Sequence, residues 1–257
     1  MSLFMLKLVL TPLLIAAATL AARRWGPTVG GWVVSLPLTS GPVSVFLSLE
    51  HGPEFAATAA AGTIVGSLSV VAFIVAYAHA ARYAAWPLAA LAGLSGFFLS
   101  VAAMARFPLP PVPGAVFSCV VLALLLLLER RPVGPAIPIP APRWDIPMRM
   151  AVATIVVLTI TALSHHVGPT LSGLLSAFPS FICVMSIFSH KLCGADNVLQ
   201  FERGIIIGSF AFVAFFFTVS WALFHFNLFV VYLLAILAAF GVNGCIMLFR
   251  AYAQRDA

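Results

Sequence analysis

Residues 26–31 read Gly26-Pro27-Thr28-Val29-Gly30-Gly31, and residues 168–173 read Gly168-Pro169-Thr170-Leu171-Ser172-Gly173. The second stretch lies 142 residues after the first, and the register continues without a gap. It pairs Pro37 with Pro179, Ser44 with Ser186, Phe46 with Phe188, Gly52 with Gly194, Gly62 with Gly204, Gly66 with Gly208 and Ser67 with Ser209. Any two apolar segments share Leu, Ala and Val by chance. Gly, Pro and Ser holding one register are harder to obtain that way, so an internal duplication is expected.

The setting of this duplication is lipid. The 257 residues are 63% hydrophobic and only 8% charged, with a mean hydropathy of +1.13. A soluble domain carries about 25% charged residues, and a disordered chain is far less apolar. The expected fold is therefore an all-α polytopic membrane protein. Apolar runs divided by Gly, Pro or charge give nine candidate spans, near 3–22, 28–49, 55–79, 84–105, 110–129, 147–164, 169–190, 199–224 and 227–249. With nine spans, eleven of the 13 basic residues fall on one face, and only Lys7 and Arg106 fall on the other. The basic face is expected to be cytoplasmic. That puts the protein in the inner (plasma) membrane, with the N-terminus outside and the C-terminus inside. The pI near 9.6 is then explained by topology, and no nucleic-acid partner is needed.

The offset of 142 residues relates spans one to four to spans six to nine. Corresponding spans are five apart, an odd number, so the two copies would cross in opposite senses, as in many secondary transporters. Repeat one covers 1–107. Residues 108–146 hold linking span five and a Pro-rich cytoplasmic linker, and repeat two covers 147–257. Because span one has a counterpart in span six, residues 1–22 read as a retained span rather than a cleaved signal.

Spans two and seven carry the expected site. Each opens on Gly-Pro-Thr and meets a second proline, Pro37 or Pro179, ten residues later. At about 1.5 Å per residue this is about 15 Å in, near the middle of a hydrocarbon core about 30 Å thick. An interior proline removes one helical hydrogen bond, which would free the carbonyls of Val33 and Leu175; Gly41-Pro42 would free that of Leu38. Loose backbone at this depth must be buried in protein or line a wet cavity. Beside it lie Thr39, Ser40 and Ser44 in one copy, and Ser180, Cys183 and Ser186 in the other. Two expectations compete: a substrate site at the repeat interface, or two kinked structural helices whose hydroxyls bond back to their own backbone.

Glu50, His51 and Glu54 cluster after span two, with Asp196, Glu202 and Arg203 near the corresponding place after span seven. They would form gates on opposite sides, or simply two solvated loops. His165-His166 makes a poor metal pair, because neighbours on one turn point apart. The four cysteines show no zinc or disulfide spacing. No nucleotide, metalloprotease or serine-hydrolase motif is present, so no enzyme and no cofactor are expected. Gly62-x-x-x-Gly66 and Gly204-x-x-x-Gly208 should let helices pack closely, and the same stripes could serve a homodimer.

The Gly-Pro-Thr-x-x-Gly start and broken second span resemble small bacterial inner-membrane proteins with an internal inverted repeat. The run Gly41-Pro42-Val43-Ser44-Val45-Phe46-Leu47, followed by Gly66-Ser67, resembles the murein-hydrolase-exporter (CidB/LrgB-like) membrane proteins. It covers under a tenth of the chain, and no function is carried over from it. The leading expectation is a secondary transporter or permease for a small solute or ion. The alternatives are a non-transporting membrane subunit or assembly factor, and a channel.

Overall fold

The computed structural model describes residue 37, residues 39–128 and 144–253, and a few isolated positions before residue 21. Span one, the first half of span two and the Pro-rich linker therefore lie largely outside the described residues. Every regular element among those described is an α-helix: α1 (Ser40–His51), α2 (Pro53–Ala81), α3 (Trp86–Met104), α4 (Pro111–Leu128), α5 (Asp145–Ser176), α6 (Ser180–Cys193), α7 (Ala195–Ala222) and α8 (Leu228–Ala253). Six of these, all but α1 and α6, are long and apolar enough to cross a membrane. The chain is a helical membrane protein.

α2 is the central helix. In its most apolar window 78% of residues are buried, against 17–28% in α3, α4, α5 and α8. Its run of Ala and Gly explains this position, since small side chains let neighbouring backbones come close. A Cβ on Gly62 would lie 2.5 Å from the Thr170 carbonyl oxygen, and one on Gly66 would lie 2.9 Å from the Ala177 Cβ. Gly173 of α5 is pressed against the Ala59 carbonyl. Hydroxyls fix the other neighbours: Ser220 Oγ of α7 donates to the Ala57 carbonyl at 3.0 Å, and Ser118 Oγ of α4 donates to that of Ile64 at 3.2 Å. Leu and Val of α3, α4 and α8, such as Leu91, Leu99, Val116, Leu124, Leu237 and Leu248, are exposed on the side away from this core. In a bilayer that surface meets lipid.

Three glycines make the sharp turns. Gly52 (φ 85°, ψ 175°), Gly168 (φ 77°, ψ 173°) and Gly194 (φ 82°, ψ 178°) share one conformation, which an L side chain rarely adopts. Gly168 interrupts α5, so that Pro169–Ser176 forms a separate helical piece of about two turns; Pro53 and Pro169 each follow such a glycine in a first helical turn, where a missing N–H costs little. Gly52 and Gly194 are 142 residues apart, as are the starts of α2 and α7 and the starts of α3 and α8.

These turns revise the expected layout in detail. The regions after spans two and seven are not open loops. A single glycine separates α1 from α2 and α6 from α7, which puts Glu54 in the first turn of α2 and Asp196 in α7. Span seven is not one kinked helix either. It is two pieces, Pro169–Ser176 and α6, separated at Ala177–Pro179.

Candidate functional site

α1 and α6 have 12 and 14 residues, about 18 and 21 Å, too short to cross a core of about 30 Å. Both begin level with the middle of α2. The break at Ala177–Pro179 lies against Gly66, near the middle of the 29-residue α2. The two starts then meet: Thr39 Oγ1 and Ser180 Oγ are 3.3 Å apart, although 141 residues separate them in the chain. From this point the short helices diverge. α1 ends at His51, beside the start of α2, and α6 carries His190 to Tyr77, near the other end of α2. The N-terminal ends of two helices therefore face each other in the middle of the molecule.

The prolines mark these starts rather than leaving loose carbonyls. Pro179 is the N-cap of α6, and the Leu175 carbonyl, expected to be free, accepts the Phe178 N–H at 3.0 Å. The Pro37 carbonyl accepts the Gly41 N–H, and Pro42 stands in the first turn of α1, where it breaks nothing. The Val33 and Leu38 carbonyls lie outside the described residues.

Of the expected site residues, the structure brings Thr39, Ser40 and Ser180 to the crossing. Pro37, Gly41 and Pro179 are buried beside them. Ser44 is buried one turn further along α1, and its hydroxyl is 2.8 Å from the Tyr232 hydroxyl of α8. Ser186 is fully buried on α6, and Cys183 is a half-buried free thiol one turn from Ser180.

A polar stripe runs from the crossing towards each end. On α1 it is Ser40, Ser44, Ser48 and His51, all on one face. Tyr232 links Ser44 and Ser48 (3.3 Å to the latter), and His51 Nε2 is 2.7 Å from Ser164 Oγ of α5. On α6 it is Ser180, Cys183, Ser186 and His190, with His190 Nδ1 3.4 Å from the Tyr77 hydroxyl. His51, of the expected Glu50–His51–Glu54 cluster, thus also has partners on α5. Its ring stacks on Phe55 and lies 4.2 Å from that of His165. Glu50 is half-buried at the end of α1, and Glu54 is exposed. Asp196, Glu202 and Arg203 fall within α7, and their side chains lie outside the described residues.

A second hydroxyl cluster braces the break. Thr63 Oγ1 lies 2.9 Å from the Ala59 carbonyl, 3.0 Å from that of Gly173 and 2.9 Å from Ser176 Oγ, all buried. Thr63→Val keeps the shape and removes the hydroxyl. We expect a loss of about 1 kcal/mol, the usual size for a hydroxyl bond between membrane helices. Reversible unfolding in mixed micelles measures it; no change would show that the bond from Ser176 Oγ to the Gly173 carbonyl, at 2.7 Å, alone holds the break.

A cavity of about 340 Å³ opens beside this cluster rather than at the crossing. It lies between the first turns of α2, the stretch after Gly168, the end of α7 and the α3–α4 connection. Val65 and Leu174 line it on the side of the break, and Leu174 also packs against Gly66. None of the residues expected at the crossing lines it. Among the described residues no three His, Cys, Asp or Glu side chains group as a metal site would require.

Sequence reasoning missed Tyr232, Tyr77, Ser164 and the Thr63–Ser176 pair. Their partners are 113 to 188 residues away, and no spacing rule reaches that far. The one available signal was a tyrosine inside an apolar span, whose hydroxyl needs a partner when buried.

The fold defines a polytopic helical membrane protein in which two short helices meet level with the middle of α2. No known protein family, curated protein or solved structure matches the chain.

Proposed function

We propose that the protein is a secondary transporter for a small solute or ion, with its site where α1 and α6 meet. The observation that carries this is the Thr39–Ser180 contact: the two breaks expected from sequence lie against each other in the middle of the fold. Interrupted helices meeting at the midplane are where transporters bind their cargo. The inverted repeat is part of the proposal. The recurrence of Gly52 geometry at Gly194, and of helix starts 142 residues apart, supports it. Nine spans, with the N-terminus outside and the C-terminus in the cytoplasm of a bacterial-type inner membrane, complete the arrangement. α1 would then lead outward and α6 inward, so that rocking one repeat against the other exposes the crossing to each side in turn.

Cysteine accessibility tests this. In proteoliposomes, Thr39→Cys and native Cys183 are expected to react with a membrane-impermeant maleimide from both faces. A second membrane function, as a non-transporting subunit or assembly factor, is favoured by the closed packing of the crossing, where Ser40, Ser44 and Ser180 are all buried. It gives the opposite result, with neither thiol labelled from either face.

A further inference from the structure

We infer that the cavity of about 340 Å³ beside the break takes one acyl chain of a membrane phospholipid, and that its mouth favours a zwitterionic head. The inference stands apart from the transport reading. The cavity has a closed end and an open one. Ala61, Val65 and Leu174 line it and are buried, whereas Thr58, Phe107 and Phe224 line it and are exposed. Phe107 and Phe224 belong to the α3–α4 and α7–α8 connections, so the mouth lies at one end of the helix bundle. From there the cavity follows α2 inwards from Ala57 to Val65, about 12 Å. The exposed Trp221 stands next to the lining Ser220. Tryptophan concentrates where a bilayer meets water, which places the mouth at head-group level.

The walls suit a hydrocarbon chain. None of the lining side chains is charged. Two of the three lining hydroxyls already donate to backbone, Thr58 Oγ1 to the Glu54 carbonyl and Ser220 Oγ to that of Ala57. The volume is at the small end of ligand sites, enough for part of one chain and too little for a whole lipid. Opposite charges flank the mouth. Glu54 continues, one turn further out, the face of α2 that carries Thr58, Ala61 and Val65. Arg106 precedes Phe107 in the turn that forms the rim. Both are exposed, and among the described residues no ion pair joins them. A head that carries a phosphate and an ammonium answers both charges. An anionic head answers only Arg106 and is opposed by Glu54.

Photolabelling of the full native chain in proteoliposomes tests this. A phospholipid with a diazirine at the end of one acyl chain is added as a trace, bearing either an ethanolamine or a glycerol head. Mass spectrometry then locates the labelled residues. Bulk lipid reaches exposed faces such as those of α3, α4 and α8, but Ala61 and Val65 are only 7% and 3% exposed. Label at Ala61 or Val65 therefore comes from a chain inside the cavity, and it is the expected result. The ethanolamine lipid is expected to give about fivefold more of it than the glycerol lipid, the effect of one charge near a bilayer surface. Glu54→Gln is expected to abolish that difference, and Arg106→Gln to lower both yields; both positions are exposed, so neither change disturbs packing. Label confined to the exposed faces overturns the site. Equal labelling of Ala61 and Val65 by the two lipids in the native chain overturns the assignment of the head. Loss of the α2 label in excess free leucine overturns the lipid in favour of a soluble zwitterion.

Discussion

Gly173→Leu and Gly62→Leu are each expected to leave little or no folded protein in detergent. At Gly173 the new side chain would begin inside the Ala59 carbonyl, and at Gly62 it would begin 2.5 Å from that of Thr170. Neither obstacle is the end of a flexible side chain. Both are backbone of helices whose neighbours are also packed, so relief requires α2 and the stretch after Gly168 to move apart. Overpacking a core ordinarily costs about 1–3 kcal/mol, and a clash of backbone with side chain at the closest helix contact lies at or beyond the top of that range. The separation would also break the hydrogen bonds of Thr63 to Gly173 and Ser176. Size-exclusion profiles and thermal unfolding in a mild detergent give the readout. A monodisperse Gly173→Leu variant with the parental Tm would mean that the two backbones do not touch.

The second large effect is expected at the glycine turns. Gly52→Ala and Gly194→Ala have open space for a methyl group, so sterics between helices do not oppose them. The backbone does, since φ near 85° with ψ near 175° is a region almost confined to glycine. Each substitution should cost about 1–3 kcal/mol. Gly241→Ala and Gly244→Ala in α8 provide the contrast: they too have nothing within 4 Å but lack the unusual φ. There alanine should be neutral or favourable by up to about 1 kcal/mol. If all four variants unfold alike, the turns at Gly52 and Gly194 do not have the shared geometry described.

The positions of the helices were largely legible. The core span of α2, the starts of α3 and α4 and the break near Pro179 were each marked by apolar length or by Gly and Pro, because these features act within a few residues. What the local signals could not supply was the difference between a kink and an end. Pro37 and Pro179 were expected to bend continuous spans and leave carbonyls free. Instead Pro179 caps a new helix, and Phe178 takes up the Leu175 carbonyl. The choice depends on whether a tight turn at Ala177–Phe178 can pack, which Gly66 on another helix permits. The charged cluster shows the same limit. Glu50, His51 and Glu54 looked like one group because they are neighbours in the chain. The fold also gives His51 partners in Ser164 and His165, more than a hundred residues away. Ser40 and Ser180 could be named from sequence as residues beside the breaks. That only one of them lacks a partner depends on Thr39 reaching across, which no spacing encodes.

The shortness of α1 and α6 also bears on how the chain is made. Neither can settle across a bilayer when it leaves the ribosome, since about 18–21 Å of helix does not reach from one interface to the other. Each is joined by a single glycine to a long apolar helix, α2 or α7. Each short piece is therefore tied closely to the long helix that follows it. The contact between Thr39 and Ser180 forms only once both short helices have been made. The order of synthesis leaves α1 waiting longest, because about 130 residues separate it from α6.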